Sequence, residues 1–371
     1  MSRAKLKTKK TDLKYQILLE KLRAFVVNLA PGEQIPQRNQ IARQYRVSAI
    51  TVQRALRELI AEGHVRAIPG KGTFVAPAPP SRCHYGLLIP REEVPPEWRH
   101  ETQWSIFWSA LIEAGKSPAL RCLESEYRIV PYYGINGHAD APTYQRLEED
   151  IQTRRLAGLF LLCLRYQVTG LPCEKLGIPL ISLLGEPPMV RPDLSGFFRG
   201  AIEYLVNRGR RRIAVLLPNR FRSFENQPIE SLFASFGLSL PSAFIQYVWP
   251  WAEVEAFRNL FRLMMDRPPE KRPDGLIIAD DHLVPHASAG LLAVDIHVPE
   301  TMEVVAYANF PLPTQCHVPA LRRGFDAHAI LKAAIELAET IRSGKPHPQE
   351  VIVPPVDANH LPQNGRPQSL S

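Results

Sequence analysis

Two short helical patterns joined by almost nothing constrain this chain more than any other feature. Over 37–44 and just beyond, Ile41, Ala42 and Tyr45 fall on one side of a helix. In the stretch VSAITVQRALREL, 47–59, Val52, Ala55, Leu56 and Leu59 do the same. Only Arg46-Val47 separates the two patterns, which leaves room for a tight turn. Two helices so joined make a helix-turn-helix, and both apolar sides need a third element to rest on. The chain supplies one upstream. Ile17, Leu18, Leu22, Phe25, Val26 and Leu29 recur at helical spacing over about 14–29, and Pro31, Gly32 and Pro36 then break the chain.

The second of the joined helices has two faces. Opposite its apolar side, Ile50, Gln53, Arg54 and Arg57 stand at i, i+3, i+4 and i+7, one exposed stripe of long donors beside an isoleucine. Ser48 stands where an N-cap belongs, its hydroxyl able to accept from the amide of Thr51, and Gly63 ends the helix. HVRAI and TFVA then flank PGKG, in which Pro69 presets one turn angle and Gly70 and Gly72 permit positive φ. This predicts a β-hairpin wing with Lys71 at its tip, placed to reach phosphate or the minor groove. In a helix-turn-helix the second helix enters the major groove. Gln53 and Arg54 then reach base edges or phosphates, and Arg57, further from the helix start, grips phosphate.

Charge points to the same partner. Residues 1–76 hold 15 Lys and Arg against 5 Asp and Glu, a net of +10; the remaining residues hold 30 against 32, a net of −2, which completes the +8 of the whole chain. A head this basic on a near-neutral body suits a polyanion that meets the head alone. Double-stranded DNA is that partner rather than a membrane surface, because polar residues occupy the positions where an interfacial helix carries Trp or Phe. The 45% hydrophobic and 22% charged fractions are those of a soluble globular chain, and the longest apolar run, LAGLFLLCL at 156–164, reads as a buried strand. The five cysteines are odd in number and form no CxxC pair, so they read as core residues in a reducing, cytoplasmic compartment. The basic N-terminus MSRAKLKTKK, with no hydrophobic segment after it, reads as a cytosolic tail.

The run LAPGEQIPQRNQIARQYRVSAITVQRALRELIAEGHVRAIPGKGTFV resembles the winged helix-turn-helix of GntR-type transcription regulators, without a gap over about 60 residues. The resemblance implies that Arg38, Asn39, Ser48, Ala49, Thr51, Gln53, Gly70 and Lys71 occupy the family's DNA-contacting positions. Many members carry Arg at the places of Asn39 and Ala49. Each loss removes a guanidinium able to bind guanine bidentately, so the expected operator differs from the family's commonest one.

After a short proline-rich linker, 77–83, strands alternate with amphipathic helices. The strands are expected at 84–90, 127–133, 156–164, 178–185, 211–218, 244–249, 274–280, 303–309 and 350–356, with helices at about 101–115, 143–155, 195–209, 252–266, 283–295 and 327–343. Continuous apolar strands in such an alternation mean parallel sheets covered on both faces. The fold class is therefore α/β: an N-terminal winged helix-turn-helix (1–76) joined to a two-lobed, doubly wound parallel-sheet domain (84–361), with a disordered tail at 362–371. Lobe 1 is expected at about 84–191 and 310–325, and lobe 2 at about 192–309 and 326–361.

Three segments carry a second resemblance, to LacI-type sensor domains and the type I periplasmic sugar-binding proteins. In RPDLSGFFRGAIEYLVNRGRRRIAVL, Asp193, Arg199, Ala201 and Leu205 keep the family's register. In DGLIIADDHLVPHASAGLLAVDIHVPETMEVVAYAN, Asp281 takes the place of the family's Asp, while Asp280 replaces an Asn and Asn309 replaces an Asp that often holds sugar hydroxyls. In VPALRRGFDAHAILKAAIELAETIRSGKPHP, the chain is expected to cross between lobes near Phe325. The combination is similar to the arabinose-responsive repressors. It implies a small effector, a sugar or related polyol, bound between the lobes by Asp193, Arg199, Asp281 and Asn309. Of the aromatics Trp104, Phe107 and Trp108, two are needed for the core, which leaves Trp104 to stack on that ligand.

Asp280, Asp281, His282 and His286 also suggest a metal site, which is set aside because Pro285 interrupts the i, i+4 helical spacing of the histidines. No metal or cofactor is expected, and no Walker loop, GxSxG or strand-led GxGxxG is present. The expected function is a sequence-specific, ligand-controlled transcription regulator of the repressor kind, paired as a homodimer on a palindromic operator. Two other classes stay open: an architectural DNA-binding protein with a ligand-free body, and an enzyme fused to a DNA-binding head.

Overall fold

The computed structural model describes residues 3–94, 105–122, 125–138, 140–183, 185–219, 229–250 and 252–360. Trp104 and the tail at 362–371 therefore lie outside the described residues.

The head has three helices, α1 (Arg3–Val27), α2 (Arg38–Gln44) and α3 (Ala49–Ala61), and a hairpin of β1 (Val65–Ile68) and β2 (Gly72–Val75). Leu18, Leu22 and Val26 of α1, Ile41 of α2, and Val52, Ala55 and Leu59 of α3 form its core with Val65 and Val75. Two inward expectations fail. Ile17 and Phe25 are 48% and 37% exposed, while Leu19 is buried. The inward stripe of α1 runs through 18, 19, 22 and 26, so 17 and 25 fall on its outer edge. Arg46, at φ 52°, makes the tight turn between α2 and α3. Gly63, at φ 80°, ends α3: its N–H donates to Ile60 O and that of His64 to Leu59 O, the two bonds of a left-handed helix stop.

The proline-rich linker packs against protein on both sides. Pro79 to Ser81 are buried, and α4 (Pro80–Cys83) is a single turn. Arg82 donates to Leu29 O of the head, and Arg342 donates to Ser81 O, both at 3.0 Å. His64, 0% exposed, has its Nε2 2.9 Å from Thr153 O. Burial holds that ring below its ordinary pKa. Proline fixes φ without solvating the segment, and these backbone acceptors draw it against protein rather than water.

The chain as a whole divides into two compact units. One holds Met1–Glu93, Gly115–Met189 and Ala334–Gln349, and the other holds Val94–Ala114, Val190–Ala333 and Glu350–Ser371. Residues 310–325, expected in lobe 1, thus belong with the second unit, and 334–349, expected in lobe 2, with the first. In the first unit β3 (His84–Leu88) lies between β6 (Arg128–Tyr132) and β7 (Gly158–Leu161), and β8 (Leu180–Ser182) pairs with β7, all parallel. A two-residue ladder joins β4 (Arg121–Cys122) and β5 (Ser125–Glu126). Helix α5 (Ile106–Lys116) precedes β4, and α6 (Pro142–Gln152) packs Tyr144, Leu147 and Ile151 on Leu88, Leu159 and Leu161. Strands β9 (Met189–Pro192) and β15 (Glu350–Val353) are neighbours where the chain passes between units.

The second unit's sheet has the order β11-β10-β12-β13-β14-β16, with β10 (Ile213–Pro218), β11 (Ile245–Val248), β12 (Gly275–Ile278), β13 (Glu303–Phe310), β14 (Leu321–Asp326) and β16 (Val356–Asp357). All pairs are parallel except β14 with β16. Helices α7 (Leu194–Asn207), α8 (Ile229–Ser235), α9 (Val254–Met265), α10 (Leu283–Leu292) and α11 (Ala327–Arg342) complete the chain, α11 running from the second unit into the first. Phe257 and Phe261 of α9 and Leu283 and Leu291 of α10 pack on Leu216, Ile278 and Val304 of the sheet. Pro285 does not break α10. It is the third helical residue, where its missing N–H has no partner within the helix to lose.

Candidate nucleic-acid interface

In the head, α2, α3 and the wing enclose an open cavity of about 550 Å³. Six of the residues expected to meet DNA line it: Arg38 and Asn39 from the start of α2, Gln53 and Arg57 from α3, and Gly70 and Lys71 from the wing tip. All six are exposed. The wing is held in place by the segment before α2, since Gln34 donates to Lys71 O at 2.9 Å and Ile35 N to Thr73 O at 3.0 Å. Sequence reading missed Gln34, whose role depends on a pairing across 37 residues. Two guanidinium groups, a lysine and two amides around one concavity suit a phosphate backbone flanking base edges.

Ser48, Ala49 and Thr51 stand at the N-terminus of α3, outside that cavity. The Ser48 hydroxyl accepts from Thr51 N at 3.1 Å, as its N-cap position predicts, and also lies 2.8 Å from the Thr51 hydroxyl. Arg54 departs from expectation. It reaches back to α1, with its guanidinium 3.2 Å from Asp12 and 4.0 Å above the centre of the Tyr15 ring. An acid and an aromatic face on α1 compete for a side chain that helical spacing alone assigns to the groove. Behind this surface, Arg23 of α1 donates from Nε to Glu62 at 3.0 Å, and Arg23 NH2 to the other oxygen of the same carboxylate. Their side chains are 12% and 6% exposed, so this pair ties α1 to the end of α3 inside the fold.

The second unit brings part of the expected effector set together. Asn309, on β13, donates through Nδ2 to a carboxylate oxygen of Asp281, which follows β12. Both residues are 3% exposed. The Asn309 Oδ1 is buried with no hydrogen-bond partner among the described residues. Asp193 caps α7 by accepting from Gly196 N at 2.9 Å, and Arg199 lies exposed on the same helix. Asp193 and Arg199 therefore share a helix start, while Asp281 and Asn309 share a hydrogen bond.

His282 and Arg322 were not expected in this site. The His282 Nδ1 stands 3.2 Å from Asp280 and 3.4 Å from Asp281. Burial opposes charge on the ring, yet the two carboxylates outweigh it and push the pKa up to about 10. Arg322 donates to Thr314 O at 2.6 Å and to Tyr307 O at 3.0 Å, and Thr314 donates to Asp281 O at 2.9 Å. Asp280, Asp281 and His282 lie close enough to share an ion, while His286 is not part of that cluster. The protonated ring donates to the carboxylates, so the cluster already balances much of its own charge.

Comparison with known proteins follows the same division. Residues 14–75 match the family described as "Bacterial regulatory proteins, gntR family", and residues 202–358 match "Periplasmic binding protein-like domain". An arabinose metabolism transcriptional repressor of Halalkalibacterium halodurans is 23% identical over 378 residues, covering 94% of this chain and 96% of the relative. One of the same name from Geobacillus stearothermophilus is 25% identical, covering 88% of this chain and 92% of the relative. Among solved structures, a LacI-family regulatory protein of Chloroflexus aggregans superposes with a TM-score of 0.53 at 16% identity, covering 74% of this chain and 96% of that one.

Proposed function

We propose, from a GntR-type winged helix-turn-helix carried ahead of a periplasmic-binding-protein-like domain, that this chain is a DNA-binding transcriptional repressor whose grip on its operator is set by a small sugar. The carrying observation is the groove that collects Arg38, Asn39, Gln53, Arg57, Gly70 and Lys71. The two relatives matched along nearly their whole length are named for arabinose metabolism, which supports a sugar as effector. In this reading the protein works in the cytoplasm as a homodimer. Its two heads meet half-sites of a palindromic operator about one helical turn apart. It carries out no reaction and holds no cofactor.

The effector is assigned to the second unit. The orphaned Asn309 Oδ1 supports this, because a buried acceptor without a donor costs stability that a ligand hydroxyl would recover. Asp193 and Arg199 complete the proposed set, and Arg199 offers several fixed donors to hydroxyl oxygens.

The test begins with selection of an operator from random duplexes, followed by titration with arabinose and other pentoses and hexoses. One sugar is expected to change operator affinity about 5- to 150-fold, the usual size of such coupling. Asn309→Leu and Arg199→Ala are expected to keep DNA affinity and lose that response. A full response in both variants would place the effector elsewhere. If no sugar raises the Tm and no sequence is enriched, the architectural reading replaces this one, since a ligand at ~100 times its Kd adds ~2.7 kcal/mol.

A further inference from the structure

The first turn of α3 is chemically unlike the rest of the DNA-facing surface. Ile50 is 80% exposed, the most open of the large apolar side chains among the described residues. It follows Ala49, which has no polar side-chain atom. The Ser48 and Thr51 hydroxyls beside it are 2.8 Å apart, and Ser48 also accepts from Thr51 N, which leaves one hydroxyl hydrogen between the pair. One and two turns further along the helix, and across from it on α2 and the wing, stand the exposed Gln53, Arg57, Arg38 and Lys71. The leading end of the helix is therefore apolar within a cationic frame.

We propose that this turn reads a thymine, through van der Waals contact between Ile50 and the C5-methyl group in the major groove. The proposal rests on the DNA-binding reading above and adds one base to it. Phosphates attracted by the surrounding cations would bring α3 into the groove, as charge complementarity requires. Of the four bases, thymine alone presents an apolar group there. A guanine or adenine would offer acceptors that Ala49 and Ile50 cannot use, and a cytosine would set its amino donor against the Ile50 side chain, which cannot accept it. Gln53, one turn on, keeps the hydrogen-bonding part of the reading.

The experiment uses the full chain and the operator selected from random duplexes. Each thymine is replaced in turn by deoxyuridine, which removes only the methyl group, and the Kd is measured at fixed salt for the parent and for Ile50→Ser. The parent is expected to weaken about 3- to 5-fold at one position per half-site, the worth of one buried methyl group. Ile50→Ser is expected to be insensitive at that same position and to accept cytosine there. Its Tm should match the parent's, because so exposed a side chain packs on no core. If no deoxyuridine affects the parent, or if Ile50→Ser responds as the parent does at every thymine, the assignment is overturned. Failure to enrich any sequence would instead overturn the DNA-binding reading beneath it.

Discussion

The head and the sensor unit each gather charge, and they treat it in opposite ways. Around the groove, Arg38, Arg57 and Lys71 are exposed. In the second unit Asp280 and Asp281 are 5% and 3% exposed, held against His282 and Asn309. A polyanion brings its own charge and releases counterions when it binds, so its receptor gains by leaving cations in water. A small neutral ligand brings little charge, so a receptor that buries carboxylates must pair them within the protein. Removing a charge therefore costs little stability in one region and much in the other.

The largest expected effect follows directly. Asp281→Ala removes a partner from both His282 and Asn309 in a buried setting, and is expected to cost about 3–5 kcal/mol of stability. Lys71→Ala, on the exposed wing tip, should cost within about 0.5 kcal/mol. Chemical denaturation of the two variants beside the parent measures both. Equal losses would erase the contrast.

A pH series sharpens it. The folded pKa of His282, about 10, lies above the ordinary histidine value of 6.5. A raised pKa means that the charged ring stabilises the folded state fully below pH 6.5, and that this contribution is lost as pH rises toward 10. The Tm gap between the parent and His282→Gln is expected to be widest near pH 6 and to narrow steadily above pH 7. A gap that stays constant to pH 10 would mean that the ring is neutral in the folded protein.

How much of this the sequence showed depends on which forces hold each region. All nine expected strands of the body form, and those at the sheet centres, such as β10, β12 and β13, are continuously apolar because both their faces are buried. Strands β4, β5, β9 and β14 were not expected, and β14 shows why. LRRGFD carries two arginines, and the structure satisfies them outside the strand itself: Arg323 with Asp357, and Arg322 with Thr314 O and Tyr307 O. Gly324 is also needed there, because a Cβ would collide with the backbone of Ala308 in the neighbouring strand. The groove was legible because periodicity separates exposed from buried faces on one helix. The pairing of Asp281 with Asn309 was not, since it joins the ends of two strands 28 residues apart. The ion-paired role of His282 is not legible either, because adjacency to two aspartates does not say which way its ring turns.

Within the groove, titration with salt should separate grip from reading. Lys71→Ala and Arg57→Ala are each expected to weaken every duplex alike and to lower the slope of log K against log salt by about 0.9, one phosphate contact each. Gln53→Ala should leave the slope unchanged and relax choice at one base pair, at a cost of ~1–3 kcal/mol. If Gln53→Ala shifts specific and random DNA equally, that amide does not face a base.

Arg54 is the case between the two regimes, exposed like the groove cations yet paired like the buried ones, and it carries the smallest expected effect. Its side chain and that of Asp12 are 61% and 59% exposed, so water and salt screen their 3.2 Å contact. An exposed ion pair contributes about 0–1 kcal/mol, and a cation over the half-buried Tyr15 ring about 0.5–1 kcal/mol. Arg54→Ala is therefore expected to lower stability by no more than about 1 kcal/mol. It should change neither base preference nor the salt slope, because the guanidinium is spent on α1 rather than on phosphate. Asp12→Asn supplies the complementary reading. Freed of its carboxylate, Arg54 gains a reason to turn toward the DNA, and the salt slope of this variant should rise toward one added contact while base preference stays fixed. If instead Arg54→Ala in the parent lowers the slope by about one, then phosphate outcompetes Asp12 on binding, and the stripe that helical spacing assigns to the groove is restored in the complex.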